Sequence, residues 1–367
     1  MPISDTAAHL AGAGAVAELE RKLSELYGMR YALCVSNATT GLLATALALG
    51  LRNREFVTTP YTYGASLSGW LLLGNRPVFA DIDPETLTID SDSAGRCFTQ
   101  RVKAILASDI FGVPCDSIAL RKLADRQGCW YIADAAQSFG ARRDGFPASS
   151  LADALVLSFT AGKILDVGEG GAVLTNHSSL YEKLVWWTQH PYRQHRDLGL
   201  NLENEFGLNG RIHPFAAVKA NAAFVDSLHN MKVRQRQCLR MLDTMNGTGL
   251  VEPVDLTRRN IESSFFRLTA AWNGVPRSGD LRDQLRSHGI EAETLSAPVR
   301  LIYKQPAFLA QYGERMRHAP CCPVAEDQAA RRFAIVRSVR SGKSVQARFR
   351  ACDSTSDNRT ISAVHGC

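Results

Sequence analysis

Four short segments carry reactive or anion-binding residue types just after stretches that read as strands. Ser158-Phe159-Thr160-Ala161-Gly162-Lys163 ends one apolar run and is followed by Gly168-Glu169-Gly170-Gly171. A lysine in such a loop, beside a glycine turn, can serve as the amine nucleophile of a Schiff base; the plain alternative is a solvated loop lysine. The pattern GxxxxGK[ST] is absent, which excludes a nucleotide-hydrolase phosphate loop. Ala133-Asp134-Ala135-Ala136-Gln137 closes a second run. Asp134 there can hold a cationic nitrogen, and Gln137 offers both a donor and an acceptor; a capping Asp at a turn is the plain reading. Ser36-Asn37-Ala38-Thr39-Thr40-Gly41 stands between a strand and a helix. Small residues there let backbone N–H groups face an anion where the helix dipole favours negative charge, or let Asn37 or Thr39 cap the helix. Gly207-Leu208-Asn209-Gly210-Arg211 says only that a loop precedes a helix.

These segments need strands and helices to position them. Val16, Leu19, Leu23 and Leu26 recur at helical steps near the start. Seven short apolar runs then read as strands at 31–35, 56–58, 77–80, 102–107, 130–133, 155–159 and 172–174. Helical patterns at 40–49, 65–73 and 118–126 alternate with them. The alternation predicts an α/β fold: a large domain with a mostly parallel seven-stranded sheet between helices, with ligands at the carboxyl ends of the strands. Past about residue 221 the pattern changes to a charged helix over 225–242 and one strand over 264–270. The expected division is a large domain over 1–220, a smaller C-terminal α+β domain over 221–336, and an atypical basic, poorly ordered tail over 337–367.

The chain has 367 residues, 45% of them hydrophobic and 21% charged, which suits a folded enzyme and excludes a disordered chain. No apolar run reaches the roughly 20 residues of a membrane helix, and the start lacks a secretory layout. Nine cysteines without a CxxC pair predict reduced thiols in the cytoplasm and no metal site. The net charge of +6 suggests nucleic acid until it is located. Residues 331–367 hold seven Arg and one Lys against two Asp, which is the whole excess. The body is neutral, and no nucleic-acid partner is expected.

In order along the chain, the segments resemble the sugar aminotransferases of the DegT/DnrJ/EryC1/StrS family, pyridoxal-phosphate enzymes of the aspartate-aminotransferase-like fold type I. SNATTGL is similar to the family's S-N-G-T-x-A-L, and TTPYTYGAS to T-P-x-T-F-x-A-T. PVFADIDPETLTID is similar to P-V-F-x-D-I-D-P-x-T-x-x-I-D, DIFGVPCD to F-G-x-P-x-D, and ADAAQSFGA to E-D-A-A-Q-x-x-G-A. SFTAGKILDVGEGGAVLTN and GLNGR resemble S-F-x-x-x-K…G-E-G-G-x-x-x-T-N and G-x-N-x-R. Each is modest alone, and seven in register are specific. The likeness runs from about residue 16 to 225 and faintly to 326.

The resemblance implies pyridoxal 5'-phosphate as cofactor and a role for each matched residue. Lys163 would form the aldimine and then move the proton, and Asp134 would pair with the pyridinium nitrogen. Tyr63 would stack on the ring and Gln137 would sit near its phenolic oxygen. Ala38, Thr39 and Ser158 would hold the phosphate, and Asn209 would reach it from the other subunit of a homodimer with shared active sites. The reaction implied is ping-pong transfer of an amino group from glutamate or glutamine to a nucleotide-linked keto sugar or a keto cyclitol. Dehydratases of the family carry histidine in place of the lysine, so Lys163 favours amino transfer; a cofactor-binding regulator without turnover is the alternative.

Three departures bear on the substrate. Leu301-Ile302-Tyr303-Lys304-Gln305-Pro306 places Tyr303 where the family commonly has a histidine near the sugar. The aromatic stretch around Trp187, His190, Tyr192 and Arg193 reads equally as a sugar-facing surface or as a buried Trp pair at a helix end. The tail lacks the strand and helix with which the family closes its small domain.

Overall fold

The computed structural model describes residues 8–200, 206–252, 255–274, 278–288, 299–316 and 320–335. The tail expected over 337–367 lies outside them. In chain order the structure begins with helix α1 (Ala15–Tyr27), strand β1 (Tyr31–Val35), helix α2 (Ala38–Ala48), β2 (Glu55–Thr58), α3 (Ala65–Leu72) and β3 (Arg76–Phe79). Next come α4 (Ser91–Arg96), β4 (Val102–Ser108), α5 (Ser117–Gln127), β5 (Trp130–Asp134) and the short strands β6 (Arg142–Arg143) and β7 (Phe146–Pro147). β8 (Ala154–Ser158), β9 (Gly171–Thr175), α6 (Ser178–Thr188), α7 (Pro191–Leu198) and α8 (Pro214–Gly247) follow.

The seven expected strands form one sheet in the order β1-β9-β8-β5-β4-β2-β3. Pairs β3–β2–β4–β5–β8 are parallel, and β9 runs antiparallel to both β8 and β1. The fold is therefore α/β with a mostly parallel sheet, as the alternation predicts. Side chains alternate through the pleat, and both faces are covered, as parallel sheets require. In β4, Ile105 and Ala107 join the core made with Leu19 and Leu23 of α1 and Leu120 and Leu123 of α5. Ala104 and Leu106 point the other way, into a core with Leu42 of α2 and Leu67 and Trp70 of α3. Close packing on that side depends on a missing side chain: a Cβ on Gly69 of α3 would stand 2.7 Å from the Leu43 Cβ of α2.

The helix expected over 225–242 is longer at both ends, because α8 is continuous from Pro214 to Gly247. It runs through the boundary expected between 220 and 221. Its first part packs Ala217, Ala220 and Phe224 on the large sheet. Its last part gives Leu242 and Met245 to a separate core with Leu268, Phe333 and Ile335. That second core carries a two-stranded antiparallel sheet of β10 (Leu268–Ala271) and β11 (Arg332–Ile335), with helix α9 (Pro323–Arg331) leading into β11. The strand expected over 264–270 begins only at Leu268. Phe265 has a positive φ of 47° and its N–H bonds the Ser263 hydroxyl, so the chain turns there before it extends.

One buried ion pair ties α1, β1 and α7 together. Arg193 is 1% exposed, and its guanidinium meets Glu20 with two hydrogen bonds of 3.0 and 2.8 Å. Glu20 also accepts the Cys34 N–H at 2.8 Å, and Arg193 reaches Asp197 at 3.0 Å. Removing one partner of such a pair strands the other charge in the interior, at about 3–5 kcal/mol. Arg193→Ala is expected to lose that much stability in urea unfolding, while Glu20→Leu combined with Arg193→Met recovers most of it. Unchanged stability of Arg193→Ala would contradict this account.

Candidate active site

Asp134 ends β5 near the middle of the sheet, where the parallel strands point their carboxyl ends the same way. It is 7% exposed, and its carboxylate accepts hydrogen bonds from Ser66 Oγ at 2.5 Å and the Ala136 N–H at 3.1 Å. Burial pushes its pKa up, opposed by Ser66, Ala136 and the charge of Lys163. Lys163 lies in the loop that joins β8 to β9. That loop is closed by an Ala161 N–H to Gly168 carbonyl bond of 2.8 Å and by Asp166, which accepts the N–H groups of Gly162 and Gly168. The Lys163 Nζ sits 4.4 Å from the Phe266 ring centroid. Burial pulls the lysine pKa down; Asp134 opposes this, and the Arg267 charge adds to it. Acid and amine thus feel each other's charge, each shifted toward its neutral form by loss of water.

The anion cradle is built from three chain segments. Asn37 caps α2, accepting the Thr40 N–H at 2.8 Å, and Ser36 Oγ donates to Thr40 Oγ1 at 3.1 Å. The Ala38 and Thr39 N–H groups fall in the first helical turn, where no intrahelical acceptor exists. Ser158 at the end of β8 pairs in register with Gly171 of β9. A Cβ on Gly171 would lie 2.8 Å from the Ala38 nitrogen and 2.7 Å from the Leu157 carbonyl oxygen. The missing side chain is therefore what lets the start of α2 close on the Ser158 strand end.

Gln137 lies one turn past Asp134, and its Oε1 accepts the Phe111 N–H at 2.8 Å. Tyr63 is 72% exposed just before α3, and its carbonyl accepts the Ser66 N–H. Asn209 takes a positive φ of 49° and lines a cavity of about 300 Å³ with His9, Gln189, Arg211 and His213. Neither Lys163 nor Asp134 lines that cavity, although the adjoining Gly210 carbonyl accepts the Ser36 N–H at 2.7 Å. Asn209 thus stands beside the cradle loop and outside the lysine pocket of its own chain.

The sugar-facing expectations divide. Arg193 has its guanidinium enclosed and occupied by Glu20 and Asp197, which favours the buried of its two readings. Tyr303 is buried edge-on against Phe79, and its hydroxyl donates to Glu326 at 2.9 Å. Trp187 is half-buried against the large core, and its carbonyl accepts the Leu208 N–H. His190 caps α7 by accepting the Tyr192 N–H, with its ring 4.8 Å from that of Tyr192, which is exposed. Sequence reasoning missed Ser66, Asp166, Phe266 and Arg267. Ser66 stands in the quoted TTPYTYGAS segment, and its hydroxyl next to that motif was the available signal.

The donor set fits pyridoxal phosphate. A buried carboxylate suits a pyridinium N–H, a desolvated amine suits an aldehyde, and the helix start with Ser158 suits a phosphate. Among the described residues no cluster of His, Cys, Asp or Glu could hold a metal ion.

Comparison with known proteins gives the same assignment. The pattern of the DegT/DnrJ/EryC1/StrS aminotransferase family matches residues 7–340. The GDP-perosamine synthase of Escherichia coli O157:H7 is 26% identical over 314 residues, covering 85% of this chain and 82% of that protein. The dTDP-4-amino-4,6-dideoxy-D-glucose transaminase of Shigella dysenteriae is 34% identical over 207 residues, and there the match spans about half of each protein, 56% and 53%. An aminotransferase structure from Psychrobacter cryohalolentis shares the fold with a TM-score of 0.76 at 23% identity, over 87% of this chain and 85% of that one.

The lysine shift has a stability consequence. Its folded pKa lies below the unfolded value of 10.5, so between the two the unfolded chain holds a proton that the folded chain lacks. Stability then rises with pH through that window. Lys163→Met is expected to raise the melting temperature of the ligand-free protein at pH 7, with a gain that shrinks as the pH approaches 10.5. A melting temperature that falls at pH 7 would refute the desolvation argument.

Proposed function

The chain belongs to the DegT/DnrJ/EryC1/StrS aminotransferase family, and we propose that it moves an amino group from glutamate or glutamine to a nucleotide-linked keto sugar or a keto cyclitol. The observation that carries this reading is that Lys163 and Asp134, at the carboxyl ends of neighbouring strands, are both taken out of water and feel each other's charge. When bound, pyridoxal phosphate supplies an electrophilic carbonyl carbon and an electron-withdrawing ring.

The chain's own groups divide the remaining work. A lowered lysine pKa keeps a larger neutral fraction of the Lys163 amine, which serves first as nucleophile and then as the base that carries a proton from the substrate carbon. Asp134, fixed by Ser66 and the Ala136 N–H, would accept the ring N–H of the cofactor and favour its protonated form. Ala38, Thr39 and Ser158 would hold its phosphate, with Gln137 and Tyr63 placed to contact its ring. The exposed Tyr63 ring has little covering in the single chain, which agrees with a pocket completed by substrate and a second subunit.

A homodimer is part of the proposal. Phe215, Val218 and Val225 line one face of α8 and are exposed, Phe215 by 79%. Asn209 beside them points to a neighbouring subunit's cradle as its target. A reducing, cytoplasmic setting completes the reading: the seven described cysteines are all free, and no helix among the described residues is long and apolar enough to cross a membrane.

Two measurements test it. The purified protein loaded with pyridoxal phosphate should change its cofactor absorbance on addition of glutamate or glutamine, and Lys163→Ala should slow this by about 10²–10⁴-fold, the usual worth of a positioned base. An unchanged spectrum with both donors would favour a cofactor-binding regulator. Phe215→Glu with Val218→Glu should turn a dimer into a monomer in light scattering and weaken cofactor retention; a monomeric parent protein would refute shared sites.

A further inference from the structure

The turn that leads into β10 is stitched to the segments that follow β4 and β5. The Ser264 N–H and the Ser263 Oγ both donate to the Gly112 carbonyl at 3.0 Å, and the Arg267 N–H donates to the Phe111 carbonyl at 3.2 Å. Ser264 Oγ reaches the Gln137 carbonyl at 3.1 Å, while the Gln137 side chain accepts the Phe111 N–H. Phe265 and Phe111 both take positive φ, 47° and 55°, a backbone region that bulky residues rarely adopt. Gly112 lies at the contact with φ 96°, and a Cβ there would stand 2.6 Å from the Phe265 nitrogen and 2.7 Å from that of Phe266. Strained residues persist only where their surroundings fix them, and they gather where a site needs a group held in place.

The group held by this turn is the Phe266 ring. It is half-buried, and the Lys163 Nζ lies 4.4 Å from its centroid, well inside the roughly 6 Å over which a ring face attracts a cation. The Arg267 guanidinium, which is exposed, lies 5.8 Å from the same centroid. Burial disfavours the ammonium form of Lys163, Asp134 favours it, and the charge of Arg267 adds to the effect of burial. The ring acts in another way. Its face attracts an ammonium ion and is nearly indifferent to a neutral amine, so it tells the two proton states of Lys163 apart without itself titrating. An aliphatic side chain of similar bulk would fill the same space and make no such distinction.

We infer that Phe266 is a positioning residue for Lys163, its ring face receiving the lysine amine whenever that amine is unbonded and protonated. For what the amine does, the inference rests on the aminotransferase reading. One proton moves in that reading: the neutral Nζ takes it from the substrate carbon, the bonding pair stays on the substrate side, and the resulting ammonium is seated on the ring until it gives the proton up. A second carboxylate in that place would hold the ammonium much more firmly and would hinder its return to a base. A ring face holds it weakly and in one direction. The ring comes from the turn before β10 and the lysine from the β8–β9 loop, so the second core takes part in aiming a group of the large sheet.

Competitive labelling with acetic anhydride tests this, because only a neutral amine is acylated. The full chain without cofactor is labelled at pH 7 and at pH 10 beside a standard amine, and the Lys163 peptide is read by mass spectrometry. The pH 10 rate accounts for access, so the ratio of the two rates follows the neutral fraction at pH 7. Phe266→Leu should raise that ratio by about 2- to 30-fold, the range of a ring–cation contact expressed as an equilibrium. Phe266→Tyr should return it to the parent value. Phe266→Met, closer in reach to the aromatic side chain, guards against a turn loosened by leucine. An unchanged or lowered ratio in either variant that melts with the parent would overturn the role of the ring. Labelling needs no turnover, which separates the two readings. A protein inert to glutamate and glutamine that still shows the raised ratio would reject the aminotransferase reading and keep the ring's role, and an active protein with an unchanged ratio would do the reverse.

Discussion

A carboxylate and an ammonium ion removed from water each favour their neutral forms, and the site holds Lys163 and Asp134 under that pressure at once. Neither could be kept there by local structure alone. Asp134 ends a strand that is buried on both faces, with β4 and β8 on either side, so the sheet sets its position before any partner contributes. Ser66 and the Ala136 N–H then lower the cost of the charge without cancelling it. Lys163 arrives from the β8–β9 loop, whose shape depends on Asp166 clamping two glycine N–H groups. The mutual attraction of the pair partly offsets the burial of each.

From that constraint the placement of the cradle follows. A buried amine and a buried acid can act on one bound molecule only if a seat for an anionic group fixes its third corner, and a helix start supplies such a seat without further charge. Bringing α2 against the ends of β8 and β9 needs room that only glycine gives at position 171. Small residues across α2 let it lie close to α3 and the sheet, which explains why this stretch looks featureless in hydrophobic pattern and still forms a well-packed helix. Arg332 opens a strand of the second core, which the unbroken α8 joins to the large sheet.

Much of this was legible in the sequence, for physical reasons that differ by element. The seven strands were readable because strands buried on both faces are short, continuous apolar runs between turns. Lys163, Asp134 and the Ser36–Gly41 turn were readable because each falls directly after such a run. The strand near 264–270 was placed too early, since Ser263 to Arg267 is rich in β-forming residues yet is turned by the positive φ at Phe265. The length of α8 was underestimated because its first turns expose Phe215 and Val218, which breaks the usual amphipathic pattern. Ser66 was invisible as a partner of Asp134, since the two are 68 positions apart and meet only when β5 and α3 pack together.

Arginine shows most clearly what composition leaves undecided. Arg193, set among aromatic residues, reads from sequence equally as a ligand contact or as part of a buried helix end, and Glu20, 173 positions away, closes on it in the interior. Arg332 sits in the run that ends the neutral body and begins the basic tail, yet it is buried and gives its hydrogen bonds to the Gln328 amide and the Thr269 hydroxyl. The two side chains are chemically identical, and their roles are set by whether a carboxylate is folded against them. A paired, enclosed guanidinium spends its donors on the scaffold. One enclosed without an ion pair among the described residues, as Arg332 is, leans instead on the Gln328 amide and the Thr269 hydroxyl, and its burial pulls its pKa down.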